Sequence, residues 1–182
     1  MPKIQFADIL VIKDSQLIYE NEVSDMTERT AAYSKTEQIH LVQPADLNSG
    51  GRLFGGTLLN MIDELAAIVA MRHTGLKTVT TAAIDNLTFK SAAYLNDLIV
   101  LIGYITYTGN TSMEVRVDTY VERNDGVRYP INRAYVVLVA LDDKNQPAEV
   151  PQLLLENDIQ REENLMAKRR RNLRLQRRTE GF

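Results

Sequence analysis

Cysteine is missing from all 182 residues, so this chain has no disulfide framework and no thiol chemistry, as suits a cytosolic setting. Tryptophan is absent as well, and His occurs only at positions 40 and 73, too few for a zinc centre built on nitrogen and sulfur. No metal site is expected. No apolar run approaches the roughly 20 residues a membrane-spanning helix needs. The opening MPKIQFADILVIKDSQ puts acids where a secretory leader has a cationic and then apolar start, so a cytoplasmic location is expected. No G-x-S-x-G occurs, which removes the serine-hydrolase elbow. The stretch NSGGRLFGGT at 48–57 nearly spells a phosphate loop, but Gly56 stands where that loop needs its Lys. Its glycines need another reason.

Hydrophobic residues make up 45% of the chain and charged ones 25%, which describes one globular domain with a real core. The net charge of -3 hides an asymmetry: residues 168–182 hold seven Lys/Arg and one acid, against 14 basic and 23 acidic residues before them. An acidic body is not a nucleic-acid-binding domain on charge, and no nucleic-acid partner is expected. The basic tail, KRRRNLRLQRR, reads as a solvated or subunit-packing helix end, with help in binding a phosphorylated ligand as the alternative.

Periodicity organises the rest. Residues 1–35 form an extension of unknown role, in which DILVI and QLIYE fit short strands or parts of a helix. TEQIHLV reads as a strand, and PADLNSGGRLFGG as a loop long enough to be functional. TLLNMIDELAAIVAMRHTG is a helix closed by Gly75. It is apolar almost all round, so it is expected to be buried by a sheet curling about it. Asn60, Asp63 and Glu64 form its one polar stripe. Four strands follow: TVTTAAIDNLTF and SMEVRVDTYVE alternate, while DLIVLIGYITY and AYVVLVAL are apolar on both faces, as in strands covered on both sides. TGNTS turns a hairpin. After DDKNQPAEVP the chain becomes a polar helix to about Arg178. Ile159, Met166 and Leu173 lie seven apart on it, but polar residues between them do not support a coiled coil. The pattern is α+β, with a main domain at 36–150 and a basic helix over 151–182.

A carboxylate buried in an apolar helix costs several kcal/mol unless it is paired or functional. Asp63 is therefore either an ion-pair or capping partner at a sheet edge, or a working group. HLVQPADLNSGGRLFGGTLLNMIDELAAIVAMRH resembles the signature of hotdog-fold acyl-CoA thioesterases, in their cytosolic acyl-CoA hydrolase group. The likeness continues through VTTAAIDNLTF, TGNTSMEVRVDTYVE and the C-terminal helix, covering residues 36–178. One departure lies in KSAAYLND, where the family has a Pro and then Gly-Asp; Asn96 can take the same left-handed turn.

The resemblance implies a hotdog fold, a long helix wrapped by a curved antiparallel sheet, and hydrolysis of acyl-CoA to free fatty acid and CoA without a cofactor. Asp63 would be the general base or nucleophile, and Asn48 would orient water or substrate. The backbone of Gly55 and Gly56 would form the oxyanion hole. The chemistry agrees: glycine admits the thioester carbonyl to a helix N-terminus, where free N–H groups and the positive dipole end await it. Gly109, Asn110, Thr111 and Ser112 match the family's turn near the CoA phosphates, although a hairpin explains them equally, and Phe54 is assigned to CoA binding with them. His73 and Glu64 read as structural, and His40 as a satisfied core or interface histidine. Dimerisation, and beyond it a hexamer made as a trimer of dimers, is implied too; pairing would close the sheet edge and the open channel. The rivals are an acyl-CoA-binding sensor without catalysis, and a dehydratase or acyl-carrier-protein thioesterase. Dehydratases of this fold rely on a His near the helix start, and none lies between Asn48 and His73.

Overall fold

The computed structural model describes residues 27–85 and 87–181, so DILVI and QLIYE fall outside the described residues. The described chain begins with strand β1 (Glu28–Thr30) and one helical turn, α1 (Ala31–Ser34). Strand β2 (Thr36–Leu41) leads through a 3-10 turn at Pro44–Asp46 to helix α2 (Gly55–Thr74). Then come β3 (Thr78–Asp85), β4 (Leu98–Thr108), β5 (Ser112–Glu122), β6 (Arg128–Leu141), β7 (Gln152–Leu154) and helix α3 (Asp158–Thr179). Five strands make one antiparallel sheet in the order β2-β4-β5-β6-β3, and β1 pairs parallel with β7.

Helix α2 lies on one face of this sheet because its apolar residues recur at helical spacing. Leu58, Met61, Ile62, Leu65 and Val69 are buried against Ile99, Leu101, Val115, Val117, Ala134, Val136 and Leu138. Each fully buried Leu or Ile contributes about 1.5–3 kcal/mol. Gly103 sets the closest approach: a Cβ there would stand 3.0 Å from Val69 and 3.2 Å from Leu65. The helix ends as expected, with Gly75 left-handed at φ 73° and its N–H donating to the Met71 carbonyl. Asn96, at φ 68°, makes the left-handed turn that its place in KSAAYLND suggested.

The opposite face explains why β4 and β6 are apolar on both sides. Helix α3 crosses it, burying Ala167 completely, and Asn164 Nδ2 donates to the Thr106 carbonyl at 2.8 Å. Beneath the helix lies Glu114, only 1% exposed, which accepts hydrogen bonds from Arg170 (2.7 Å), Thr106 (2.8 Å) and Arg174 (3.2 Å). Arg174 and Arg177 also hold Asp85. Arg170 and Arg174 are thus drawn out of solvent onto carboxylates of the sheet, while Arg177 reaches Asp85 from an exposed position.

Elsewhere the boundaries moved. The regular ladder of β3 stops at Asp85; among the described residues beyond it, Lys90 N–H to the Ile131 carbonyl and Asn132 Nδ2 to the Thr88 carbonyl tie the chain to β6, each at 2.9 Å. Strand β6 starts six residues before AYVVLVAL, because the turn at 123–127 sets Arg128 opposite Glu122. The helix is not enclosed all round, either. At its β3 side Asn60 and Glu64 are exposed, Asp63, Ile68 and Met71 are half-buried, and edge strand β3 exposes Thr78, Thr80, Thr81 and Ala82.

Candidate active site

The loop before α2 is held by its own backbone. Phe54 N–H donates to Asp46 (2.8 Å), Leu53 N–H to Ala93 (2.8 Å), and Asn48 N–H to Arg52 (2.8 Å). The Asp46 carboxylate takes the Gln43 N–H and the His40 ring, and these bonds keep its pKa below the usual carboxylate value. His40 is satisfied in this way, at 2.7 Å. Asn48 Oδ1 accepts from the N–H groups of Gly50 (2.8 Å) and Arg52 (3.3 Å). Its Nδ2 has no hydrogen-bond partner among the described residues, so Asn48 offers the site a donor.

Helix α2 begins at the end of this loop without a side-chain cap and without an acid in its first turn. The leading N–H groups of Gly55 and Gly56 therefore keep their donor capacity, at the positive end of the helix dipole. Gly55, Asn48, Leu58, Arg52, Phe89 and Lys90 line a cleft of about 350 Å³. The glycines make room for rings: a Cβ on Gly56 would stand 2.5 Å from the Phe54 ring, and one on Gly55 3.3 Å from Phe89. Phe54 packs over Gly56, outside the cleft lining. Arg52, Phe89 and Lys90 were not singled out in the sequence, although Arg52 sits inside the glycine-rich motif.

Asp63 is eight residues after Gly55, about 12 Å down the same helix. It is half-buried and makes no ion pair among the described residues. Its one hydrogen-bond partner among the described residues is Thr81 of β3, whose hydroxyl donates to Oδ1 at 2.6 Å. No sequence signal marked Thr81. Within one chain the structure does not bring Asp63 into the cleft that holds Asn48 and Gly55.

The hairpin at 109–112 is a separate place. Gly109 N–H donates to Ser112 (2.7 Å), and the Asn110 and Thr111 carbonyls accept from Val150 and Ala140, both at 2.9 Å. Ser112 lines a groove of about 670 Å³ between β3 and α3, together with Arg171, Arg174, Arg177 and Arg178. Of these, Arg171 and Arg178 have no acidic partner among the described residues. The turn and the basic tail, separate in the sequence, thus share one surface.

His73 is fully buried, with Ser34 Oγ on Nδ1 and the Pro151 carbonyl on Nε2, both at 3.2 Å. A carbonyl only accepts, so Nε2 carries the proton. Burial lowers the ring's pKa to about 4, and His73 is a neutral structural residue rather than a cation at the helix end.

Comparison with known proteins follows the same outline. The model of the thioesterase superfamily matches residues 50–127. A Bacillus subtilis protein described as an uncharacterized acyl-CoA thioester hydrolase is 36% identical over 126 residues, covering 69% of this chain and 73% of its own length. The cytosolic acyl coenzyme A thioester hydrolase of Rattus norvegicus is 36% identical over 133 residues, 71% of this chain; the chain spans only 34% of that protein's length. Among solved structures, a hexameric acyl-CoA thioesterase in its apo form superposes with a TM-score of 0.78 at 36% identity, covering 82% of this chain and 96% of the other. The acyl-CoA hydrolase of Staphylococcus aureus, bound to butyryl coenzyme A, coenzyme A and coenzyme A disulfide, does so at 0.79 and 33%, covering 84% and 93%. That hydrolase was also solved with Ala in place of an Asp and of an Asn lying fifteen positions apart, the separation of Asn48 and Asp63. By loop, helix and sheet together, the chain belongs to the thioesterase superfamily, in the hotdog-fold acyl-CoA thioesterase family.

Proposed function

We propose that this chain hydrolyses acyl-CoA to a free fatty acid and CoA. The observation that carries the reading is the uncapped start of α2 opening on the cleft at Gly55, with an unpaired carboxylate two turns on. The thioester carbonyl accepts hydrogen bonds from the Gly55 and Gly56 N–H groups, where negative charge develops as the carbon becomes tetrahedral. Asp63 either takes a proton from the attacking water or attacks the carbonyl carbon itself, giving an anhydride that water then opens. In both routes the C–S bond breaks and the sulfur leaves as the CoA thiolate. Thr81 fixes the carboxylate's orientation, and the Asn48 amide donates to water or substrate.

One chain separates Asn48 from Asp63, and the α2 face beside β3 is incompletely covered. A second copy against that face would cover Ile68 and Met71 and bring one chain's Asp63 to the other's cleft. The site is therefore shared within a dimer, and the hexameric relative supports further assembly. For the CoA end, the groove beside Ser112 supplies Arg171 and Arg178 as phosphate partners. The cleft lined by Gly55, Leu58 and Phe89 takes the thioester.

The test is thiol release from a panel of acyl-CoAs, by wild type and by Asp63→Asn. The amide is nearly isosteric but is neither base nor good nucleophile, so activity should fall about 10²–10⁴-fold with the fold intact. A folded Asp63→Asn protein with near-normal turnover would sink the assignment.

A further inference from the structure

Several apolar side chains of helix α3 do not pack on the sheet, and three of them share one face. Asn164 and Ala167 point to the sheet, whereas Ile159, Met166 and Leu173 lie within about 20° of a single line, roughly a quarter turn from Ala167 at 100° per residue. Ile159 is 79% exposed and Leu173 57%. They border the trough between α3 and Tyr135 of β6. Between them on this face stand Glu162 and Arg169, of opposite charge. The helix as a whole is graded: Asp158, Glu162 and Glu163 lie in its first third, and seven cations in the rest. Arg169 has no acidic partner among the described residues and touches only Met166 Sδ, at 3.8 Å.

We propose that this face docks α3 of a second copy, antiparallel, about a two-fold axis at Met166. In that register Met166 meets the partner's Met166, and Ile159 lies across from the partner's Leu173. Glu162 comes within one residue, about 1.5 Å along the axis, of the level of the partner's Arg169, twice per contact. The polar residues between Ile159, Met166 and Leu173, which do not support an ordinary apolar coiled coil, are the ones this antiparallel pair uses. A parallel pair would set Glu162 against the partner's Glu162 and Arg169 against the partner's Arg169, like charge on like. An anionic membrane or a nucleic acid would instead meet Asp158, Glu162 and Glu180 within the face it has to approach. The inference rests on the self-association proposed above and adds a contact on the opposite side of the sheet from α2. Two different two-fold contacts in one chain build an assembly larger than a dimer, which closes where the two axes intersect at a suitable angle.

The absence of native cysteine makes the register directly testable in the full-length protein. On mild oxidation, Met166→Cys should cross-link chain to chain. Ile159→Cys should not cross-link alone, since its two copies would lie about 21 Å apart along the helices, far beyond disulfide reach of about 7 Å. An exchanged mixture of Ile159→Cys and Leu173→Cys chains should cross-link. In sedimentation velocity at low salt, Glu162→Arg and Arg169→Glu should each lower the assembly's mass, and the double exchange should restore it. Self-cross-linking of Ile159→Cys, failure of Met166→Cys to cross-link, or a double exchange that restores nothing would overturn the proposal. Cross-links in this pattern from a protein without thioesterase activity would refute the function above and leave this contact standing.

Discussion

Arg170→Ala should cost far more stability than Arg169→Ala one position earlier. Arg170 supplies two of the hydrogen bonds to Glu114, from Nη2 at 2.7 Å and Nε at 3.2 Å, and its guanidinium stacks 3.5 Å above the Tyr135 ring. Removing one partner of a buried ion pair costs about 3–5 kcal/mol, because the remaining charge keeps its desolvation penalty. Glu114 would retain Thr106 and Arg174, which places the expected loss near the lower end, about 3 kcal/mol. Arg169 has no carboxylate beside it within its own chain, so its removal acts only through the proposed α3 contact and should cost about 1 kcal/mol or less. Adding Glu114→Gln to Arg170→Ala removes the stranded charge and should recover part of the loss. Urea unfolding followed by far-ultraviolet circular dichroism reads these differences, at one fixed protein concentration because association adds to apparent stability. A loss of 3 kcal/mol moves the midpoint by about 1–2 M. Equal midpoints for Arg170→Ala and Arg169→Ala would show that the tail cations are solvated after all, and that α3 is held by its apolar contacts alone.

Two further outcomes follow from the geometry. His73 stays neutral in the folded chain down to about pH 4, while the unfolded ring takes a proton below its ordinary 6.5. Stability from this site is therefore full above about pH 6.5 and falls as pH drops toward 4, by about 1 kcal/mol at pH 5.5 and about 3 near pH 4. Urea titrations should show that pH-dependent part in wild type and not in His73→Asn; identical profiles would refute the buried neutral ring. Arg171→Ala with Arg178→Ala should raise KM for acyl-CoA and flatten its salt dependence while kcat holds. Unchanged KM would take the groove beside Ser112 out of CoA binding.

How much of this was legible beforehand depended on whether a residue's reason was local. Helix α2 announced itself through Leu58 to Val69 and stopped at Gly75, and the double-sided apolar pattern of β4 and β6 foretold a second covering layer. Strands β1 and β7 did not show, because three residues of parallel pairing across more than a hundred positions leave no periodic trace. The tail arginines read as solvated for a related reason: their partners, Glu114 and Asp85, are distant in sequence and meet them only after the sheet folds. Thr81 was invisible likewise, being one Thr among several until β3 sets it beside Asp63. The sequence suggested the glycine pair as an opening for substrate; the steric reason seen in the fold, the Phe54 ring lying on Gly56, left no sequence signal.

The shared site is tested most directly by mixing two damaged proteins. Asn48→Ala and Asp63→Ala, each impaired alone, are unfolded together and refolded. In a two-fold pair, each mixed dimer has one doubly damaged site and one intact site. Random pairing makes half the dimers mixed, so acyl-CoA hydrolysis should return to about a quarter of the wild-type rate. If exchange of subunits is demonstrated and no activity returns, Asn48 and Asp63 act within a single chain and the shared site is wrong.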